Sequence, residues 1–247
     1  MRKIKLTISY DGTLYVGWQR QKNGLSVQEL IENAVFKVTG EKVSVTASGR
    51  TDAGVHAAAQ VADFKTDSSV PPERFAPALN AHLPQDIRVI KSEEAKSDFS
   101  ARYSAKKKIY RYSFYVSETQ KPLKDRYALQ VYPAPSVEKM REAAKIFVGE
   151  HDFKSYSSTG SSVKTTTRTI CSIDIIERGE DITFDVSGNG FLYNMVRIIC
   201  GALLAYAYGK VEITDLLRGF SGEKRPNAVK NLAAKGLTLL FVEYENN

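Results

Sequence analysis

Twice along this chain the hydrophobic pattern passes from a period of two to a helical period and back, in the same order. Ile4, Leu6, Ile8 and Tyr10 alternate as one face of a strand. After a polar loop over residues 11–23, Ser26 stands as an N-cap, and Glu29 three residues on forms a capping box with it. Val27, Leu30, Ile31, Ala34, Val35 and Val38 follow at helical spacing, and Gly40 ends the helix. Strands are expected near 43–48 and 58–66. A second helix opens at Pro71-Pro72 and carries Phe75, Leu79 and Leu83; Ile87, Val89 and Ile90 form a fourth strand. This order, β-α-β-β-α-β, is the split βαβ, ferredoxin-like arrangement.

The rest of the chain repeats it. A strand covers about 107–117, and a helix opens at Ser136 with Met140, Ala144 and Phe147 on one face and Gly149 behind it. Strands near 167–177 and 181–187 flank Arg178-Gly179-Glu180, a hairpin turn signal. A long helix from about Phe191 to Gly209, a shorter one near 212–219, and a last strand with Leu237, Leu239, Phe241 and Val242 complete the half. The expected fold class is α+β: two ferredoxin-like halves, 1–104 and 105–247, with mainly antiparallel sheets side by side and a basic cleft along the seam. The polar stretch 97–104 marks the division. With 247 residues the chain has room for two domains of roughly 120 residues each. The repetition is one of pattern, not of residue identity.

Between the second and third expected strands lies Gly49-Arg50-Thr51-Asp52-Ala53-Gly54-Val55-His56-Ala57. Its two glycines permit a turn with positive φ or a close approach of backbone to a ligand. A carboxylate in such a turn, two residues from an arginine, can stay ionised and be aimed into a cleft. Asp52 and Arg50 would equally serve as an exposed pair on an ordinary β-turn. Elsewhere, Arg102, Lys106, Lys107, Lys108 and Arg111 interleave with Tyr103, Tyr110, Tyr112, Phe114 and Tyr115. That mixture suits phosphate contact with base stacking, or else a half-buried strand with Tyr110, Tyr112 and Phe114 facing inward. Arg168, Arg197, Lys210, Lys224, Arg225, Lys230 and Lys235 extend the positive surface. A formal net charge of +7 and a pI near 9.2 favour an anionic partner.

Composition and missing motifs narrow the chemistry. With 43% hydrophobic and 26% charged residues the chain is globular. No apolar run approaches the roughly 18 residues of a membrane span, and the alternating start at Met1 lacks the apolar centre of a signal peptide. Cys171 and Cys200 have no metal or redox spacing, so a reduced, cytoplasmic protein is expected, with core packing the role of both. His56, His82 and His151 are too dispersed for a zinc site and are expected in structural or surface roles. A P-loop, a dinucleotide fingerprint and a G-x-S-x-G elbow are all absent. Tyr10-Asp11-Gly12-Thr13 suggests a haloacid dehalogenase nucleophile, but Ser9 stands where that motif needs a second Asp. Asp11 is thus left as a turn residue or another kind of cleft residue. A phosphotransferase built on Asp11 is disfavoured for the same reason. Chemistry without a cofactor remains, with a carboxylate as nucleophile or base.

These motifs together resemble the tRNA pseudouridine synthases of the TruA type, and they do so end to end. Tyr10-Asp11-Gly12-Thr13 with Gly17-Trp18-Gln19-Arg20-Gln21 looks like the family's opening, and residues 49–57 look like its most specific motif. Ala78-Leu79-Asn80, Phe99-Ser100-Ala101-Arg102, Tyr110-Arg111-Tyr112 and Gly149-Glu150-His151-Asp152-Phe153 follow in order. Gly190-Phe191-Leu192, Met195-Val196-Arg197 and Ala234-Lys235-Gly236-Leu237 complete the set. Tyr193-Asn194 departs from the histidines frequent in the family, and Asn231-Leu232-Ala233 from its small-residue and proline run. The resemblance implies a cofactor-free isomerase that converts uridine to pseudouridine at positions 38, 39 and/or 40 of the tRNA anticodon stem-loop. Asp52 would be the nucleophile. It also implies that Arg197 pairs with and orients Asp52, that Tyr110 stacks on the base and assists proton transfer, that Arg50 holds the flipped-out nucleotide, and that Leu237 packs on the uracil. The implied assembly is a homodimer holding each tRNA across both subunits. The competing expectation is a non-catalytic tRNA-binding or RNA-folding protein on the same scaffold.

Overall fold

The computed structural model describes residues 1–160 and 164–245. The chain packs as two units, Met1–Lys106 with Thr238–Asn247, and Lys107–Leu237.

In the first unit, β1 (Arg2–Tyr10) buries Ile4, Leu6, Ile8 and Tyr10, the face expected from the alternation. The helix α1 (Val27–Thr39) starts where Ser26 Oγ accepts from Glu29 N at 3.3 Å, and it stops at Gly40, which takes φ +74°. It buries Val27, Ile31, Ala34 and Val35; Leu30 and Val38, also read as part of that face, are only half-buried. The expected strand 43–48 shrinks to β2 (Thr46–Ala47), while β3 (His56–Thr66) runs longer than expected. Pro71 precedes a 3₁₀ turn over Pro72–Arg74 and then α2 (Phe75–Asn80), which ends before Leu83. The fourth strand, β4 (Ile87–Ala95), pairs with β1, and β1 pairs with β3, both antiparallel. Phe64 and Phe75 meet edge to face, 5.5 Å between centroids, so the helices close over one face of the sheet.

In the second unit, β5 (Ala105–Val116) is followed by the short α3 (Pro122–Asp125) and β6 (Leu129–Val131), neither of which shows a clear period in the sequence. Ser136 caps α4 (Val137–Ala144) by accepting from Lys139 N at 3.2 Å, and a 3₁₀ turn carries the chain on to Phe147. After β7 (Gly149–Asp152), the expected hairpin appears as β8 (Thr167–Arg178) and β9 (Asp181–Gly188), with Gly179 at φ +60° in its turn. The order is β5-β9-β8-β7, antiparallel throughout, with β6 parallel to β5. Met140, Ala144 and Phe147 are buried as expected. The long helix α5 (Met195–Ala207) begins four residues after Phe191, and α6 (Ile213–Arg218) follows it.

The last strand, β10 (Leu237–Tyr244), pairs in parallel with β3 through Thr238↔His56 and Leu239↔Ala57. Residues from Thr238 on therefore belong to the first unit.

Candidate active site

The nine-residue motif joins β2 to β3, and main-chain bonds hold it at Thr51, Asp52, Gly54 and Val55. Ser48 N donates to Val61 O at 2.8 Å, and Trp18 N donates to Thr51 O at 3.0 Å. Asp52 pairs with Gly17 as an isolated bridge. Its carbonyl then accepts from Val55 N at 3.1 Å, closing a turn in which Gly54 takes φ +76°. Positive φ at the third residue alone is the mark of a type II turn, and glycine supplies it without a Cβ clash. Gly17, at φ +106°, has so little room that a Cβ there would lie 2.4 Å from Thr51 O.

Beneath the loop runs a buried polar network that the hydrophobic pattern did not reveal. Gln60, fully buried in β3, accepts from Ser48 Oγ at 2.7 Å and donates to Gly49 O at 3.0 Å. Thr51 Oγ1 lies 2.7 Å from the Tyr10 hydroxyl. Burial pushes the Tyr10 phenol up to about 12, against the opposing bonds from Thr51 and Gln60. Ser48, Gly49 and Thr51 are thereby pinned from below, while Arg50 is exposed and Asp52 half-buried. A polar residue in the mostly apolar run Ala57–Phe64, which also holds Asp63, was the available signal for Gln60, and it is weak.

Asp11 is a turn residue, one of the two roles open to it. Its Oδ1 accepts from Thr13 N at 3.0 Å and Thr13 Oγ1 at 2.5 Å, capping the 3₁₀ turn Gly12–Leu14. His56 Nδ1 lies 3.1 Å from both Asp11 Oδ1 and Gly12 N. The two contacts need opposite states of that nitrogen, because Gly12 N–H donates to a lone pair that an ion pair would protonate. Through Gly12 N–H, which donates to Nδ1, His56 fastens the opening loop to β3.

The second unit holds the other residues singled out in the sequence. Tyr110, opposite Val186 on β5, is 7% exposed and meets Phe191 edge to face at 5.2 Å. Tyr112 and Phe114 are buried on the same face, as the half-buried strand reading required. Arg197, half-buried in the first turn of α5, donates from Nε to Leu232 O and from Nη1 to Asn194 Oδ1, each at 2.6 Å. Leu237 is buried at the start of β10.

Part of the expected anionic footprint is neutralised inside the protein. Arg111 forms a bidentate pair with its cross-strand neighbour Asp185, at 2.7 and 2.6 Å. Lys106 pairs with Glu245 at 2.7 Å and Lys235 with Asp125 at 2.6 Å. Arg102, Lys210, Lys224 and Lys230 stay exposed, and Arg102 lies 5.3 Å from the centre of the exposed Tyr103 ring. The cysteines divide as well: Cys200 is buried as expected, but Cys171 sits at a bulge in β8 and faces solvent.

The family described as tRNA pseudouridine synthase matches residues 6–104 and 143–245. This chain belongs to that family. A tRNA pseudouridine synthase A of Acetivibrio thermocellus is 45% identical over 244 residues, covering 99% of this chain and all of the relative. Those of Ruminiclostridium cellulolyticum and of Clostridium botulinum strain Eklund 17B are 46% and 49% identical over 245 residues, with the same coverage. As a tRNA pseudouridine synthase family member, the chain carries Arg50, Asp52, Arg197 and Leu237 inside the matched residues and Tyr110 outside them. Among the described residues, no helix is long and apolar enough to cross a membrane.

Proposed function

We propose that the protein isomerises uridine to pseudouridine at positions 38, 39 and/or 40 of the tRNA anticodon stem-loop, with Asp52 as nucleophile. What carries the reading is a carboxylate on a turn locked by main-chain bonds, within a chain that matches the family over most of its length. Attack at uracil C6 or ribose C1′ gives an adduct, and the bond from C1′ to N1 breaks. The base turns while enclosed, the bond from C1′ to C5 forms, the bond to Asp52 breaks and returns the carboxylate, the C5 proton leaves, and N1 gains one. No electrons are exchanged with a partner, so the residues need no redox group.

Arg197 pairs with Asp52 and keeps it ionised; a guanidinium beside a carboxylate favours the charged form. Tyr110 stacks on the uracil and assists proton removal from C5, and Leu237 packs on its other face. Arg50, exposed next to the pinned Thr51, holds the flipped nucleotide. Extruding a paired base costs a few kcal/mol, which phosphate contacts offset. The enzyme works in the cytoplasm as a homodimer; sedimentation at twice the chain mass is the corresponding observation.

The deciding experiment treats unmodified tRNA with wild type or Asp52→Ala and maps pseudouridine by chemical labelling. Product in the anticodon stem-loop is expected with wild type only. Equal product from Asp52→Ala removes the nucleophile assignment. Wild type that binds tRNA and makes no product is instead a tRNA-binding protein. Binding itself should respond to salt, given the +7 charge. For three or four phosphate contacts, raising salt from 50 to 200 mM weakens affinity about thirtyfold, in wild type and Asp52→Ala alike. Salt-insensitive affinity in a titration would count against electrostatic tRNA binding.

A further inference from the structure

We propose that Asn194 is a positioning residue of this reaction, whose carboxamide aims the guanidinium of Arg197. The proposal rests on the reading that Arg197 orients Asp52.

Three observations carry it. Asn194 is the one non-glycine residue with positive φ among the described residues, at 62°. It occupies the N-cap of α5, where an asparagine ordinarily turns its side-chain oxygen onto the N–H groups of the first turn, yet it makes no such bond. Instead Oδ1 accepts from Arg197 Nη1 at 2.6 Å, and Nδ2 donates to Ser158 Oγ at 2.9 Å. The left-handed backbone directs the side chain away from the helix end, and asparagine tolerates that conformation better than other residues with a Cβ. The residue is 9% exposed, so water does not readily substitute for either bond.

A guanidinium is planar, and bonds from two of its nitrogens fix both its plane and its rotation. Leu232 O supplies one through Nε and Asn194 the other. Ser158 holds the amide so that its carbonyl end faces the arginine. A neutral acceptor also leaves the full charge of Arg197 for a carboxylate, where an aspartate at this place would compete for it.

The test is a double-mutant cycle in single-turnover assays on tRNA. Asn194→Gly keeps the left-handed backbone and removes the acceptor. It should still fold, with a thermal midpoint lowered by only a few degrees, bind tRNA as wild type does, and lose about tenfold to a hundredfold in kcat. On an Arg197→Lys background, where no planar fork remains to be aimed, Asn194→Gly should cost less than about twofold more. Full activity of Asn194→Gly overturns the proposal, as does an equal loss on both backgrounds, which would mark a general structural role. Absence of pseudouridine from wild type overturns the activity itself, and that outcome reads separately from the cycle.

Discussion

Replacing Asp52 with asparagine is expected to leave tRNA affinity within about threefold of wild type while kcat falls by roughly four orders of magnitude or more. The main-chain bonds that shape the turn do not involve the carboxylate. Asp52 contributes its carbonyl to Val55 N and its main chain to the bridge with Gly17, and Trp18 N holds the preceding carbonyl. An isosteric amide can occupy the same place, but at neutral pH it does not displace a glycosidic nitrogen or add to a uracil ring. A free carboxylate is itself a modest nucleophile, so placement and desolvation supply much of the rate, and an amide gains nothing from either. Filter binding beside single-turnover kinetics separates the terms. If Asp52→Asn lost affinity or thermal stability in step with activity, Asp52 would be a structural residue of the loop.

The parts of the fold legible in the sequence are those whose cause is local. Alternation put Ile4, Leu6 and Ile8 on one face because a strand has a period of two. Ser26 and Gly40 bounded α1 because each meets a backbone need that few residues meet. The start of α5 was misplaced for a reason periodicity does not carry: Asn189 is tied to β8 through Thr169, and Asn194 takes a left-handed backbone, so apolar residues from Phe191 on cannot yet be helical. The partner of β10 was equally hidden, since Thr238 and His56 are far apart in sequence and nothing in either strand names the other. In the candidate site, Arg50 and Asp52 were legible because two glycines frame them. Gln60, the Tyr10–Thr51 contact and the Asn194 carboxamide were not, because each acts by meeting a group brought to it by folding. Positive charge was overread for the same reason. Arg111 is a cation in the sequence, and Asp185 cancels it only once β5 and β9 pair.

The second large effect follows from Gly17. Gly17→Ala would set a Cβ 2.4 Å from Thr51 O and 3.0 Å from Asp52 C, both backbone atoms, in a residue already at φ +106°. Neither relief is cheap. Rotating φ breaks the bridge to Asp52, and moving the loop strains the bonds that Gln60, Tyr10 and Trp18 make to it. A cost of about 2–4 kcal/mol is expected, which for a chain of this size lowers the thermal midpoint by roughly 5–15 °C. Gly40→Ala is the matched control, since Gly40 also has positive φ but its Cβ meets nothing within 4 Å. That variant should lose only about 1 kcal/mol and keep full turnover. Gly17→Ala should lose kcat at temperatures where circular dichroism shows it fully folded, because the displaced backbone atoms belong to Thr51 and Asp52. If the two alanines behaved alike in melting and in turnover, the close approach of Gly17 to the loop would have no part in holding the nucleophile.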